Sequence, residues 1–158
     1  MLSIPERHAR RSAARDLARE LMARHGLHGW SFGFNRRKRA LGLCRYGARA
    51  IELSIHLVDR NGPEEVRDTL LHEIAHALVG PGHGHDAVWR AKAVEVGARP
   101  ERCARADMPE GRWRARCGGC GQAFTRHRRP RRLRGWFCRA CGPEAGGLTW
   151  REGGAGAA

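Results

Sequence analysis

The sequence predicts an α+β protein with an N-terminal helix, a three-stranded antiparallel sheet, a metal-binding helix and a small zinc ribbon with four cysteine ligands. Three observations predict this fold. An H-E-x-x-H motif lies in a capped helical pattern, three alternating apolar runs precede it, and two C-x-x-C-G pairs follow it. The predicted units are a metal-binding body over 1–97, a linker over 98–116, the ribbon over 117–142 and a disordered tail over 143–158.

Composition restricts the class of protein further. The 158 residues are 41% hydrophobic, which argues against wholesale disorder, and no apolar run is long enough to span a membrane. Without a secretory signal we expect a cytoplasmic protein, with association with the nucleoid left open. In that compartment the six cysteines are interpreted as metal ligands or thiols. The net charge of +14 favours nucleic acid as a partner, although a GC-rich genome also enriches arginine.

The first helix is predicted from Ser3 to His25. Ser3 and Glu6 have the spacing of a capping box, and Gly26 follows as a stop. An apolar face is formed by Ala14, Leu17, Ala18, Leu21 and Met22. The arginine-rich opposite side is interpreted as a solvated face.

Three strand patterns come next along the chain. Apolar residues recur from Trp30 to Phe34, from Leu41 to Tyr46 and from Ile51 to Leu57, with short polar connections between the runs. The simplest arrangement is an antiparallel meander. Cys44, in the second run, is interpreted as a packing residue because no base lies near it in sequence.

The metal helix is predicted to begin at Pro63, which suits the first helical position, and to end at Gly80 and Pro81. His72 and His76 are four residues apart, so a helix brings both imidazoles to one face, where they can share a metal ion. Glu73 points away from that pair by about a quarter-turn. It is therefore predicted to act as the catalytic base and not as a ligand.

A third metal ligand is needed, because catalytic zinc usually has three protein ligands and one open position. His83 and His85 both follow the turn after the helix, and Asp86 and Glu95 are further candidates. His85 opens a second helical pattern that ends at Gly97, which would hold it on a rigid element. The spacing alone leaves the choice open.

These residues resemble the SprT-like zinc metalloproteases, the Spartan family. The family pattern places a third histidine after a glycine-rich turn, with a large aromatic residue four positions later; His72, Glu73, His76, His85 and Trp89 match it. The aromatic spacing favours His85 as the third ligand, although Asp86 stands where the family commonly has glycine. The resemblance implies a protein substrate, and specifically proteins bound or crosslinked to DNA.

The carboxy-terminal module is predicted from Cys117, Cys120, Cys138 and Cys141, two pairs separated by 17 residues. Four thiolates at this spacing are typical of a structural zinc ribbon, so the chain is expected to hold one catalytic and one structural Zn²⁺. Cys103 has no partner at ligand spacing.

Positive charge is concentrated around this ribbon. Thirteen arginines against three acidic residues from 99 to 141 leave +10 of the net charge. The arginines predicted to contact nucleic acid lie between the cysteine pairs: Arg126, Arg128, Arg129, Arg131, Arg132 and Arg134. Phe124, Trp136 and Phe137 are interleaved with them, either to stack on bases or to form the small core of the ribbon.

The predicted function is therefore that of a zinc-dependent endopeptidase acting on proteins at DNA. The rival hypothesis is a nucleic-acid-binding adaptor that retains both metal sites but cuts no peptide. The sequence does not predict an oligomeric state.

Overall fold

The computed structural model describes residues 2–101 and 106–153, which fall into two compact units, 1–108 and 109–158. The first unit contains helix α1 (Ile4–Arg24), strands β1 (Ser31–Asn35), β2 (Gly42–Arg45) and β3 (Ala50–Ser54), and helices α2 (Ile55–Arg60), α3 (Pro63–Val79) and α4 (Ala87–Val96). The α+β class is confirmed. None of the helices in these described ranges is long and apolar enough to cross a membrane.

Helix α1 begins as its sequence predicts. The Ser3 hydroxyl accepts a hydrogen bond from the Glu6 N–H, and the Glu6 carboxylate accepts one from the Ser3 N–H. The helix buries Ala14, Ala18, Leu21 and Met22 in the core of the first unit. It ends beside Gly26, whose φ of +73° suits a residue without a side chain.

The sheet differs from the predicted meander. Strands β2 and β3 are antiparallel, but β1 pairs parallel with β3, in the order β1-β3-β2. A short turn over Tyr46–Ala48 joins β2 to β3 and makes that pair antiparallel. The most apolar strand is therefore central, with Ile51 and Leu53 fully buried, and β1 takes its remaining edge.

The third strand is shorter than predicted. It ends at Ser54, whose hydroxyl accepts a hydrogen bond from the His56 N–H and so caps α2. Leu57 and Val58 are buried from this helix and not from a strand. The strand prediction through Leu57 was wrong because the alternation of apolar residues continues across the cap.

The second unit contains β4 (Trp113–Arg116), β5 (Ala123–Arg126), β6 (Trp136–Phe137), the short helix α5 (Gly142–Ala145), β7 (Gly147–Leu148) and β8 (Arg151–Glu152). Its strands form an antiparallel sheet in the order β5-β4-β8 and a separate β6-β7 pair. Trp113, Leu148 and Trp150 are buried beside Cys117 and Cys138.

Two boundary predictions are corrected by this unit. The disordered tail predicted over 143–158 was wrong for 143–152, because Leu148 and Trp150 supply much of the small core. The predicted linker over 98–116 is divided, since Ala98 belongs to the first core and Trp113 to the second. Cys103 and residues 154–158 lie outside the described residues.

Candidate metal centres

Three histidines converge at the carboxyl end of α3. His72 and His76 lie one turn apart on the helix, and His85 reaches them from the turn that precedes α4. The His85 Nε2 atom lies 3.0 Å from His72 Nε2 and 3.2 Å from His76 Nε2. All three rings therefore aim one nitrogen at a common point.

The other candidates for a third ligand are occupied elsewhere. His83 Nδ1 lies 2.8 Å from Asp86 Oδ2, and the other oxygen of Asp86 accepts the Trp89 N–H at the start of α4. Glu95 pairs with Lys92. Because Asp86 caps the helix and holds His83, the geometry joins His85, and not His83, to His72 and His76.

This arrangement fits a zinc ion. Tetrahedral zinc with Zn–N bonds of 2.0–2.1 Å requires ligand nitrogens about 3.3 Å apart, close to the separations here. Burial lowers the pKa of both His72 and His76 to about 4, with the neighbouring imidazoles adding repulsion. Both rings are then neutral at pH 7, which metal binding requires. Three imidazoles suit zinc among the common metals.

Trp89 lies behind the three histidines. Its ring centroid is 4.6 Å from that of His72, 5.1 Å from that of His76 and 4.5 Å from that of His85. The side chain is fully buried. Since one rigid ring contacts all three imidazoles, Trp89 restricts their orientation, which explains the spacing of four residues between His85 and this aromatic side chain.

Glu73 is buried beside the histidines, with 7% of the residue exposed. Burial raises the pKa of its carboxyl group to about 8, and a hydrogen bond from the Cys44 backbone N–H opposes that rise. Gly42 approaches the same side chain so closely that a Cβ there would lie 2.7 Å from both Glu73 Cγ and Oε1. Strand β2 thus positions the carboxylate in two ways. The Cys44 N–H donates a hydrogen bond to it, and Gly42 has no side chain that would collide with it.

The contacts that Glu73 makes with Gly42 and with the Cys44 N–H were not predicted from the sequence. A glycine within a strand pattern signals close approach of another group, so Gly42 carried a usable signal. Tyr46 carried none. It lines the same cleft of about 850 Å³ as Glu73 and the three histidines, and burial raises its pKa to about 12. Its hydroxyl is therefore protonated, and it is hydrogen-bonded to the side chain of Cys44.

Cys44 also lines the cleft. Burial, followed by the charge of Glu73, raises the pKa of its thiol to about 12. A thiol that stays protonated is not a nucleophile, which agrees with the packing role predicted for it.

The four ribbon cysteines form the second cluster. Their sulfur atoms lie within 4.8 Å of one another, and Cys120 Sγ is 3.9 Å from Cys138 Sγ. Tetrahedral Zn–S bonds of about 2.3 Å require nearly this separation. The N–H of Cys120 lowers the pKa of Cys117 to about 7, so a thiolate is favoured there.

Glycines make the two cysteine turns possible. Gly121 and Gly142 follow the second cysteine of each pair with φ of +72° and +70°. At Gly146 a Cβ would lie 2.9 Å from the Cβ of Cys141 and 3.1 Å from that of Cys138. The glycine after each C-x-x-C pair is thus required by its turn, and the segment predicted to be a tail supplies Gly146 as a further required glycine.

The ribbon aromatics separate into two groups. Trp136 and Phe137 are 37% and 52% exposed, whereas Phe124 packs against the core. A core role is therefore wrong for Trp136 and Phe137. Arg126 lies over the rings of Trp136 and Trp150, at 4.2 and 5.0 Å from their centroids, and Arg129 lies 5.6 Å from that of Trp113.

The predicted contact arginines are all exposed. Arg128, Arg131, Arg132 and Arg134 lie with Arg126 and Arg129 on the surface of the ribbon. Within 106–153 none of the six forms an ion pair with a carboxylate. Their charge is thus available to an anionic partner.

Comparison with known proteins gives one match. The model of the SprT-like family matches residues 11–108, which include the three histidines and Glu73 and stop before the ribbon. No curated protein and no solved structure matches the chain.

Proposed function

We propose that this chain, which belongs to the SprT-like family, is a zinc-dependent endopeptidase that cuts proteins bound or crosslinked to DNA. Membership of this family supports a metalloprotease-type function in general. The zinc, the peptide-bond cleavage and the DNA-associated substrates are the parts that we add.

The convergence of His72, His76 and His85 beside buried Glu73 carries the proposal. A zinc ion bound by His72, His76 and His85 would supply Lewis acidity toward water and toward a peptide carbonyl. A dication beside Glu73 would lower the pKa of its carboxyl group from about 8, so that the ionised carboxylate could accept the proton of the attacking water and pass it to the leaving amine. The protonated Tyr46 hydroxyl in the same cleft is the donor that we assign to the developing oxyanion.

DNA association is proposed from the ribbon. Six exposed arginines supply phosphate contacts, and the exposed rings of Trp136 and Phe137 supply surfaces for stacking on bases. Zinc held by Cys117, Cys120, Cys138 and Cys141 would stabilise this small unit, because its apolar core is limited.

Metal content and cleavage of the purified chain test the protease proposal. We expect wild type to retain two zinc ions and to cut a protein substrate supplied with DNA. His85→Ala should lose one zinc and at least about 100-fold of the activity, since a three-ligand site loses one ligand. His83→Ala is the matched control and should keep both zinc ions and the activity, because His83 contacts Asp86 instead. Cys117→Ser should lose the other zinc.

Loss of activity in His83→Ala with retention in His85→Ala would contradict the ligand assignment. Two bound zinc ions and DNA binding without any cleavage, under all conditions that support folding, would favour the adaptor hypothesis. In that outcome the histidine centre is structural.

The ribbon surface has a separate prediction. Removing Arg128, Arg129, Arg131 and Arg132 together should lower the slope of log affinity for single-stranded DNA against log salt by up to about 3, at about 0.7 per phosphate contact. Replacing Arg67 and Arg90, exposed on α3 and α4, measures the effect of lost net charge alone. If the slope changes by the same amount per removed arginine in both variants, the ribbon is excluded as the contact surface.

A further inference from the structure

We propose that the first unit carries a single-stranded nucleic-acid site of its own, formed where helix α1 meets strand β1. A cleft of about 580 Å³ lies at this junction. Its lining includes Arg15 and Arg19 of α1 and, from the segment that leads into β1, Trp30 and Phe32. None of these residues belongs to the histidine centre or to the ribbon, and the site does not depend on proteolysis.

The helix supplies the cationic side of this site. Arg15 and Arg19 are four residues apart, so they share one face of α1, and both are exposed. The rise between them along the helix axis is about 6 Å. Arg11, one turn earlier, is paired with Asp59 and is not counted in the site.

These two arginines are available for a phosphate. Arg19 lies 3.8 Å from Asp16, and both side chains are about 70% exposed, so the pair is held weakly. Arg15 lies with its guanidinium carbon 5.7 Å from the centroid of Phe34 and forms no ion pair within the described part of the chain. The arginine-rich side of α1, which the sequence predicts to be a solvated face, therefore borders a cleft.

The edge of the sheet supplies the aromatic side. Strand β1 pairs only with β3 among the described strands, so no strand covers its other edge, and Ser31 and Phe32 of β1 line the cleft. Trp30 and Phe32 are half-buried: each packs against the core and also lines the cleft. Phe32 is held by an edge-on contact with Phe34, with ring centroids 5.1 Å apart. Rigid rings at a cleft wall are suited to stacking on bases of any sequence.

The combination favours a nucleic-acid strand over other ligands. The volume of the cleft is within the range of about 300–1,000 Å³ typical of ligand pockets. An uncharged apolar ligand would leave the two arginines without a role. Flat rings next to a pair of cations match the alternation of base and phosphate in a single strand.

Binding of a labelled oligothymidine to the full, zinc-loaded chain tests the site. Arg15→Ala with Arg19→Ala should lower the affinity about tenfold and the salt slope by about 1.4, for two phosphate contacts. Both residues are exposed on a helix, where alanine is favourable, so the variant should fold. Arg67→Ala with Arg90→Ala removes the same charge outside the cleft and should change the slope less. An equal effect of the two pairs would overturn the proposal.

Photocrosslinking of wild type locates the bases directly. An oligonucleotide carrying 4-thiothymidine should crosslink to Trp30 or Phe32, in addition to any ribbon residues. Crosslinks confined to the ribbon would overturn the site. A base-free polyphosphate or a phosphopeptide of equal charge should compete poorly at this cleft; competition as strong as that of the oligonucleotide would also overturn the proposed ligand class.

Discussion

Replacing Glu73 with glutamine is expected to slow peptide cleavage about 10²–10⁴-fold while both zinc ions remain bound. Glutamine has the same size and still accepts the hydrogen bond from the Cys44 N–H, but it cannot take a proton from water. The measurement is single-turnover cleavage with zinc analysis of the same sample. Activity within about threefold of wild type would remove Glu73 from its assigned role.

A stability measurement separates this loss from unfolding. In the zinc-free chain the pKa of Glu73 is raised from 4.5 to about 8, so the folded state holds a proton that the unfolded state releases between these values. Relative to Glu73→Gln, the free energy of unfolding of wild type should therefore fall as pH rises from 4.5 to 8; His72 and His76, whose pKa values are lowered to about 4, add an opposite pH dependence that both chains share. Glu73→Gln lacks this dependence and should be more stable than wild type at pH 8, by on the order of a few kcal/mol.

Gly42→Ala is expected to lower kcat about 10–100-fold with a smaller change in KM and with full zinc content. The added Cβ would lie 2.7 Å from Glu73 Cγ and Oε1, so the carboxylate must move away from its position. A displacement of about 1 Å in a catalytic group can cost about 100-fold in rate. The substitution should also destabilise the fold by about 1–3 kcal/mol, as overpacking does.

The matched control is Gly33→Ala on strand β1. A Cβ there meets its nearest neighbour, Glu52 Cγ, at 3.9 Å, which is ordinary contact. This variant should retain nearly full activity. If Gly42 acts through Glu73, then Gly42→Ala added to Glu73→Gln should cause little further loss of rate. Full additivity of the two losses would show that Gly42 acts by another route.

The two candidate clusters of metal ligands were largely predictable because their geometry is local. The interval from His72 to His76 is one helical turn, and each C-x-x-C-G pair fits a turn ended by a glycine of positive φ. The caps at Ser3 and Gly97 are equally local. These features depend on neighbours a few residues away, which the sequence displays directly.

The choice between His83 and His85 required the folded chain. Both follow the same turn, and only the capping bond from the Trp89 N–H to Asp86, with His83 held on the other oxygen, directs His85 toward α3. The sequence likewise did not predict the parallel pairing of β1 with β3 or the burial of Leu148 and Trp150.

The sequence by itself determined which side chains can hold metal and the helix that presents two of them. Only the tertiary structure decided which third histidine joins them, how Gly42 and Cys44 hold the Glu73 carboxylate, and where a pair of arginines meets an aromatic edge. The physical reason is the separation along the chain over which each kind of interaction acts. Helical periodicity and turn chemistry act over a few residues, whereas these arrangements arise from packing between segments distant in the chain.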